Sequence, residues 1–340
     1  SALLTAWRHA FHNITSANKK HISNMPNNSK SSETPDEKVI RVPFSDKKGT
    51  GNQSNHRRKM LAEKSAFALF RLLSGVIVTI LFVILAFIII KGAAVINWDF
   101  ITTPPADGMK SGGIWPAIVG TFYLMVGSAL FAFPLGIMSG IYMHEYAKSG
   151  KLVRFIRMMT NNLAGIPSIV FGLFGMSLFV NFFGFGDSIL AGSLTLGLLA
   201  LPLVIRTTEE ALKAIPDTFR EGSLALGATK LQTIRRVILP MAMPNVITGL
   251  ILALGRVSGE TAPILFTCAA YFLPQLPESV FDQCMALPYH LYVLATSGTD
   301  MELQIPIAYG TALVLIVIIL AVNLLANAMR NYFQNKLKTN

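Results

Sequence analysis

Arg256 and Glu260 stand four residues apart in Gly255-Arg256-Val257-Ser258-Gly259-Glu260-Thr261-Ala262-Pro263, inside an otherwise apolar stretch. On a helix that spacing puts both on one face, and Gly255 and Gly259 beside them have the small-xxx-small spacing that admits a neighbouring helix. A guanidinium offers a fixed fork of donors able to hold two oxygens of a tetrahedral anion. A carboxylate beside it can orient the fork, weaken the grip so that the ion leaves, or accept the proton of a protonated oxyanion. Ser258 and Thr261 supply hydroxyls in the same segment. The same two charges could instead neutralise each other and only hold helices together.

Other chemistry-bearing residues are less organised. His144 beside Glu145 has the atoms of a metal site but no further ligands at a matching spacing, so the two read as a polar cluster closing an apolar run. Cys268 and Cys284 lack Cys-x-x-Cys or His-rich surroundings and suggest no metal site, while a single disulfide between them stays open. Met158, Met159, Met241 and Met243 read as ordinary packing. No metal ligand set, catalytic residue or bound cofactor is expected.

The elements that carry these residues follow from composition. With 340 residues, 52% apolar and only 14% charged, and a mean hydropathy of +0.51, the chain is too apolar for a soluble domain of its size. A hydrocarbon core of about 30 Å needs about 20 apolar helical residues. Six stretches qualify, near 67–90, 115–138, 163–183, 188–205, 245–268 and 305–328. Only helices satisfy such backbones in lipid. Counted from Asn245, Arg256 lies eleven residues in, or about 16 Å at a 1.5 Å rise, close to the midplane. Each charge there costs about 2.5–3.5 kcal/mol on insertion scales, which asks for a reason. Pro263 is expected to disturb the helix one turn later.

Seven of the eleven net positive charges fall in residues 1–66. That segment, with Asn-Asn-Ser-Lys-Ser-Ser at 27–32, reads as a disordered basic tail, with a short amphipathic helix near Leu3–Phe11. Of the other Lys and Arg, Lys148, Lys151, Arg154 and Arg157 follow the second span, and Arg330, Lys336 and Lys338 lie at the C-terminal end. Asp99, Asp107, Asp187, Glu278, Asp282, Asp300 and Glu302 lie in the alternate connections, with Trp98, Trp115 and Tyr123 as interface aromatics. The basic excess is topology, not nucleic-acid binding, and both termini are expected in the cytoplasm. No apolar run with a small-residue cleavage site opens the sequence, so a signal-cleaved secreted protein is not expected.

The long connection 206–244 then faces the cytoplasm. It carries helix punctuation throughout: Asp217 as an N-cap after Pro216, Gly227 as a left-handed stop, Thr229 with Gln232 as a capping box, and Pro240 as a second stop. Two short helices at an angle are expected, with Phe219, Leu224 and Leu226 not needed for lipid. Such a hairpin could fill a partner's groove, or pack on the chain's own membrane domain.

Glu221-Gly222-Ser223, three residues, Gly227, nine residues, then Val237-Ile238-Leu239-Pro240 resembles the EAA loop of bacterial ABC-importer permeases. Glu221, Gly227, Leu239 and Pro240 occupy the pattern's positions, while Gly222, Ser223 and Val237 replace Ala, Ala and Ile. Arg256-x-x-Gly-Glu-Thr-Ala-Pro263 and Leu163-Ala-Gly-Ile-Pro-Ser-Ile-Val-Phe-Gly-Leu-Phe-Gly175 narrow the resemblance to membrane subunits of phosphate-specific importers. Ala286-Leu-Pro-Tyr-His-Leu-Tyr-Val-Leu-Ala295 looks like the A-type subunit, PstA, more than its C-type partner.

The resemblance covers about 67–335 and implies an all-α type I permease fold with six transmembrane helices in the bacterial inner membrane. The EAA loop falls at about 216–244, and 336–340 forms a cytoplasmic end. It further implies a homologous C-type permease, an ATPase dimer docking at the loop through Glu221, Gly227, Leu239, Pro240, Phe219 and Leu224, and an extracytoplasmic phosphate-binding protein. ATP and Mg would sit on the ATPase, since no Gly-x-x-x-x-Gly-Lys-Ser/Thr loop occurs here. Arg256, Glu260 and Arg206 fall on motif charges implicated in phosphate passage, although Arg206, at a helix's inner end, also fits a positive-inside anchor. Molybdate or sulfate would suit the same chemistry. From a different class, a stand-alone ion-coupled transporter is the alternative; against it stand the absence of a second, inverted half within the sequence and the presence of the docking loop.

Overall fold

A computed structural model describes residues 52–147, 150–298 and 300–339. The expected disordered tail up to residue 51 and its Leu3–Phe11 helix lie outside the described residues. The chain divides between Leu69 and Phe70 into two compact units. The first helix, α1 (Asn52–Ala93), begins within the segment assigned by composition to the tail. Residues 52–66 contain neither Gly nor Pro, so helical hydrogen bonding extends back through polar sequence. Its most apolar stretch has no buried residue, the condition of a helix facing lipid or another chain.

A short α2 (Trp98–Thr102) follows, with Asn97 Oδ1 accepting the Phe100 amide at 2.6 Å. A two-residue antiparallel pair, β1 (Pro105–Ala106) and β2 (Ser111–Gly112), leads into α3 (Trp115–Ile141), which widens into a π turn at Tyr142–Tyr146. Next come α4 (Lys151–Leu163) and α5 (Ser168–Gly175), the latter continued by a π turn at Met176–Phe182. α6 (Ile189–Lys213) starts at Ser188, whose Oγ accepts the Ala191 amide at 3.2 Å. The connection beyond folds as α7 (Asp217–Ala225), α8 (Lys230–Thr233) and a π turn at Ile234–Ile238, running on into α9 (Leu239–Val257). After α10 (Ala262–Leu265) an irregular segment reaches α11 (Leu287–Thr296) and α12 (Met301–Thr339).

Among the described residues five helices are long and apolar enough to cross a membrane, and a sixth crossing exists if the bent pair α4–α5 counts as one. That pair corrects the third expected span. The apolar run 163–183 conceals a bend of 103° between the two helices. Pro167 cannot continue the α4 ladder and disfavours helical geometry before it, so Leu163 ends one helix and Ser168 begins another.

The fifth span is also displaced. The helix runs without interruption from Lys230 to Val257, so Pro240 does not stop it. The π turn, in which the Leu239 amide reaches back to the Ile234 carbonyl, shifts the ladder at the proline. The helix ends earlier than expected, at Val257. Ser258 Oγ bonds the Leu254 and Gly255 carbonyls at 2.9 and 3.1 Å, and Gly259 and Pro263 follow.

The most extensively packed pair is α3 with α6, and α9 packs on α6. In lipid, where surroundings are as apolar as Leu, close approach holds such helices more than exclusion of water does. A Cβ on Gly136 would fall 2.5 Å from Val204 Cγ1, and one on Gly140 would fall 2.7 Å from Thr208 Cβ. Gly136→Ala is therefore expected to cost about 1–3 kcal/mol through overpacking and to lower the melting temperature of the purified protein. Gly75→Ala, whose Cβ meets nothing within 4 Å, should not lower it.

The two ends of this bundle differ. At one, the end of α6 and the start of α9 pack around buried Leu212, Ile215 and Ile238, with Ile137 and Ile141 of α3 against them. At the other, the segment after α10 folds over the start of α6, where the Ser188, Ile189 and Leu190 amides bond the carbonyls of Thr267, Asp282 and Val280, each at 2.9 Å. Cys268 and Cys284 meet in this cover as buried free thiols, their sulfurs 3.4 Å apart.

Candidate functional site

Arg256 occupies the last turn of α9, and Glu260 lies beyond its end. They meet across the turn, with Arg256 Nε 3.4 Å from Glu260 Oε1. The two side chains are unequally placed: Arg256 is 40% exposed and Glu260 only 18%. The carboxylate abuts a space of about 10 Å³ shared with Thr121, Leu124, Leu196, Val257 and Ala286, about one water in size and too small for a tetrahedral oxyanion. The Arg256 side chain is the more accessible of the two.

The nearby hydroxyls do not both join it. Ser258 is 2% exposed and its hydroxyl is turned back on α9, so the structure removes it from the open face. Thr261 is half-buried and precedes α10 without capping it by its side chain. Arg256 is not at mid-helix either, because the helix that carries it starts at Lys230, fifteen residues before the assumed Asn245. Leu196, which shares the Glu260 space, is seven residues from the Ile189 end of α6, or about 10 Å. The pair therefore lies nearer the end covered by the segment after α10 than the hairpin end.

Arg206 is a separate feature. It lies on the part of α6 that extends past the expected 205 and pairs with Glu210 at 3.1 Å, both side chains more than 60% exposed. The two flank a cleft of about 210 Å³ at the hairpin end with His144, Arg157, Glu209 and Lys213. Arg157 reaches Glu209 at 3.4 Å and the Met143 carbonyl at 3.1 Å, tying α4 to α3 and α6. Among the described residues no group of three or more His, Cys, Asp and Glu side chains could hold a metal ion.

The hairpin forms as its punctuation dictates, apart from its start and its end. Pro216, not Asp217, precedes α7, and Asp217 is paired with Arg220 at 3.0 Å instead of capping. Gly227 has φ +82°, with its amide bonded to the Leu224 carbonyl at 3.0 Å and the Ala228 amide to Ser223 at 3.3 Å. Thr229 and Gln232 form a reciprocal capping box, and Ser223 Oγ meets Thr233 Oγ1 at 3.0 Å between the two helices.

No residue of α7 is buried. Phe219 is 45% exposed, Leu224 48%, Leu226 91% and Leu231 64%, and Glu221 and Gly227 are exposed with them. Leu239 and Pro240 are half-buried where the chain re-enters the bundle, and so separate from that surface. A left-handed alanine costs about 1–2 kcal/mol. Gly227→Ala is thus expected to loosen the hairpin, seen as faster cleavage at 217–229 in limited proteolysis with the rest of the chain intact.

Sequence reasoning missed Arg220. Its guanidinium contacts Glu145, 75 residues away, and no local pattern marks such a pairing.

Spans of this length in an all-helical bundle define a polytopic membrane protein. The chain belongs to the family of binding-protein-dependent transport system inner membrane components, whose model matches residues 132–339. It is 35% identical over 294 residues to the probable ABC transporter permease protein YqgI of Bacillus subtilis, covering 83% of this chain and 99% of that one. It is 40% identical over 222 residues to the phosphate transport system permease protein PstA of Mycobacterium leprae, covering 65% and 71%. A solved bacterial ABC transporter involved in import of the acidic polysaccharide alginate superposes with a TM-score of 0.58 at 17% identity, over 81% of this chain and 99% of that one. That likeness concerns the fold alone, which is the expected importer permease fold.

Proposed function

We propose that this chain is the A-type membrane subunit of an ATP-binding-cassette importer that carries inorganic phosphate into the cell. The observation that carries the reading is the exposed apolar side chains of the hairpin, Phe219 and Leu224 on α7 and Leu226 just after it, beside a fully formed Gly227 stop and capping box. Such a face on a membrane protein fits a groove on another chain. The hairpin end is then cytoplasmic, with the ATPase dimer and its ATP and Mg beneath it. The Arg256 side faces a homologous C-type permease across a shared passage, and a phosphate-binding protein docks at the opposite end.

Phosphate is favoured by the name of the Mycobacterium leprae relative and by the chemistry of Arg256, whose fork suits a tetrahedral oxyanion. Because Glu260 is already half-enclosed while Arg256 is open, the second wall of the passage is supplied by the partner permease. Closure of the ATPases moves the docked hairpins and swings the helices between access to the two sides. This chain itself breaks no bonds. The test is ATP-dependent uptake of radiolabelled phosphate by the reconstituted four-component complex. Uptake that excess sulfate and molybdate do not suppress supports phosphate; suppression by either reassigns the oxyanion.

A further inference from the structure

Arg220 lies between Phe219 and Glu221, both exposed, yet only 15% of its own side chain is exposed. It is drawn inward by five hydrogen bonds. Nε and Nη2 donate to Glu145 Oε1 at 3.1 and 2.9 Å, Nη2 to the Leu212 carbonyl at 3.0 Å, and Nη1 to the Ile215 carbonyl at 2.9 Å and Asp217 Oδ1 at 3.0 Å. One planar group thus joins the end of α3, the end of α6 and the start of α7. Glu145, 7% exposed, is held from other sides as well: His144 Nδ1 lies 3.1 Å from the same Oε1, and Lys230 Nζ donates to its carbonyl oxygen. That Lys230 Nζ also sits 5.0 Å from the centre of the Tyr146 ring.

The docking face and the charged turn make no use of this cluster. It has the arrangement needed between them. α7 leaves its apolar residues exposed while its Arg220 side chain grips the two most closely packed helices. α8, the hairpin's other arm, starts at a residue bound to α3 and continues unbroken to Arg256. The hairpin can be displaced only by carrying the ends of α3 and α6 with it or by breaking these bonds.

We propose that Arg220 and Glu145 form the joint that passes movement of the docked hairpin into α3 and α6. They are positioning residues that touch neither nucleotide nor transported ion, and the proposal rests on the importer reading above. A guanidinium over the Leu212 and Ile215 carbonyls could alternatively do no more than cap the end of α6, so the test needs a readout that a cap would not move.

That readout is phosphate carried per ATP hydrolysed, measured on the full complex in proteoliposomes. The variants are Arg220→Lys, Arg220→Ala, Glu145→Gln and the double variant Arg220→Ala with Glu145→Gln. The ATPase is expected to stay bound and to continue hydrolysis. The ratio should fall about fivefold or more in the alanine and glutamine variants, as for residues on a coupling path. It should fall less in Arg220→Lys, and no further in the double variant than in Arg220→Ala. If Arg220→Ala does not assemble, the lysine and glutamine variants carry the comparison. An unchanged ratio with lowered thermal stability means a structural cap and overturns the joint. Independent, multiplying losses in the double variant also overturn it. A wild-type complex that moves no phosphate at all overturns the importer reading and the joint with it.

Discussion

Replacing Arg256 by alanine in the reconstituted complex is expected to lower ATP-dependent phosphate uptake by between ten- and a hundredfold, while the complex still assembles. A hydrogen bond to a charged group is worth about 1.5–3 kcal/mol, and each 1.4 kcal/mol is about a factor of ten. The guanidinium is available to a ligand because its bond to Glu260 is single, long at 3.4 Å, and leaves the side chain 40% exposed. A pair of that kind contributes about 1 kcal/mol or less to stability by the yardstick of exposed ion pairs, so assembly should survive its loss.

Arg256→Lys separates charge from geometry. The ammonium keeps the attraction but donates from a point, without the planar fork, so uptake should be intermediate. Wild-type uptake in the lysine variant would show that the fork grips nothing. Glu260→Gln tests the other half: with the tempering charge gone, phosphate should bind more tightly and leave more slowly, lowering both the maximal rate and the half-saturating concentration.

The hairpin was legible in the sequence because its geometry is local. Gly227 must be left-handed, and Thr229 with Gln232 can satisfy each other's amides within four residues. The spans were legible because hydropathy counts apolar residues per length. It does not report direction, so the run 163–183 gave no sign of a 103° bend, although Pro167 stood in view. Pro240 misled for the opposite reason. A proline ends a regular α-helix, but the π turn at Ile234–Ile238 moves the ladder and lets the helix pass.

At the charged turn, residue types were readable and orientations were not. Ser258 stands two residues from Arg256 and shares its motif, yet its hydroxyl closes the helix end instead of facing outward. Glu145 was visible beside His144, while its decisive partner Arg220 required the fold to bring α3 and α7 together. Contacts of that range follow from packing, which spacing does not encode.

The other large effect is expected at α7. Phe219→Ala with Leu226→Asp should abolish co-purification of the ATPase while leaving the chain in the membrane at wild-type abundance. Neither side chain supports the bundle, since Leu226 is 91% exposed and Phe219 about half exposed. Burying a Leu or Phe fully is worth about 1.5–3 kcal/mol, and a carboxylate placed in an apolar groove costs about as much again or more. Together these predict a loss of affinity of at least about a hundredfold.

Gly222→Ala is the matched control. A Cβ there meets nothing within 4 Å, and Ala is about 1 kcal/mol better than Gly within a helix. The variant also restores the commoner residue of the EAA pattern, so the ATPase should remain bound and the hairpin should resist proteolysis slightly better. If the Phe219 and Leu226 double variant retained its ATPase at wild-type stoichiometry, the exposed face would have another use. Arg220 would then hold the hairpin as a static cap on α6 instead of driving the helices from it.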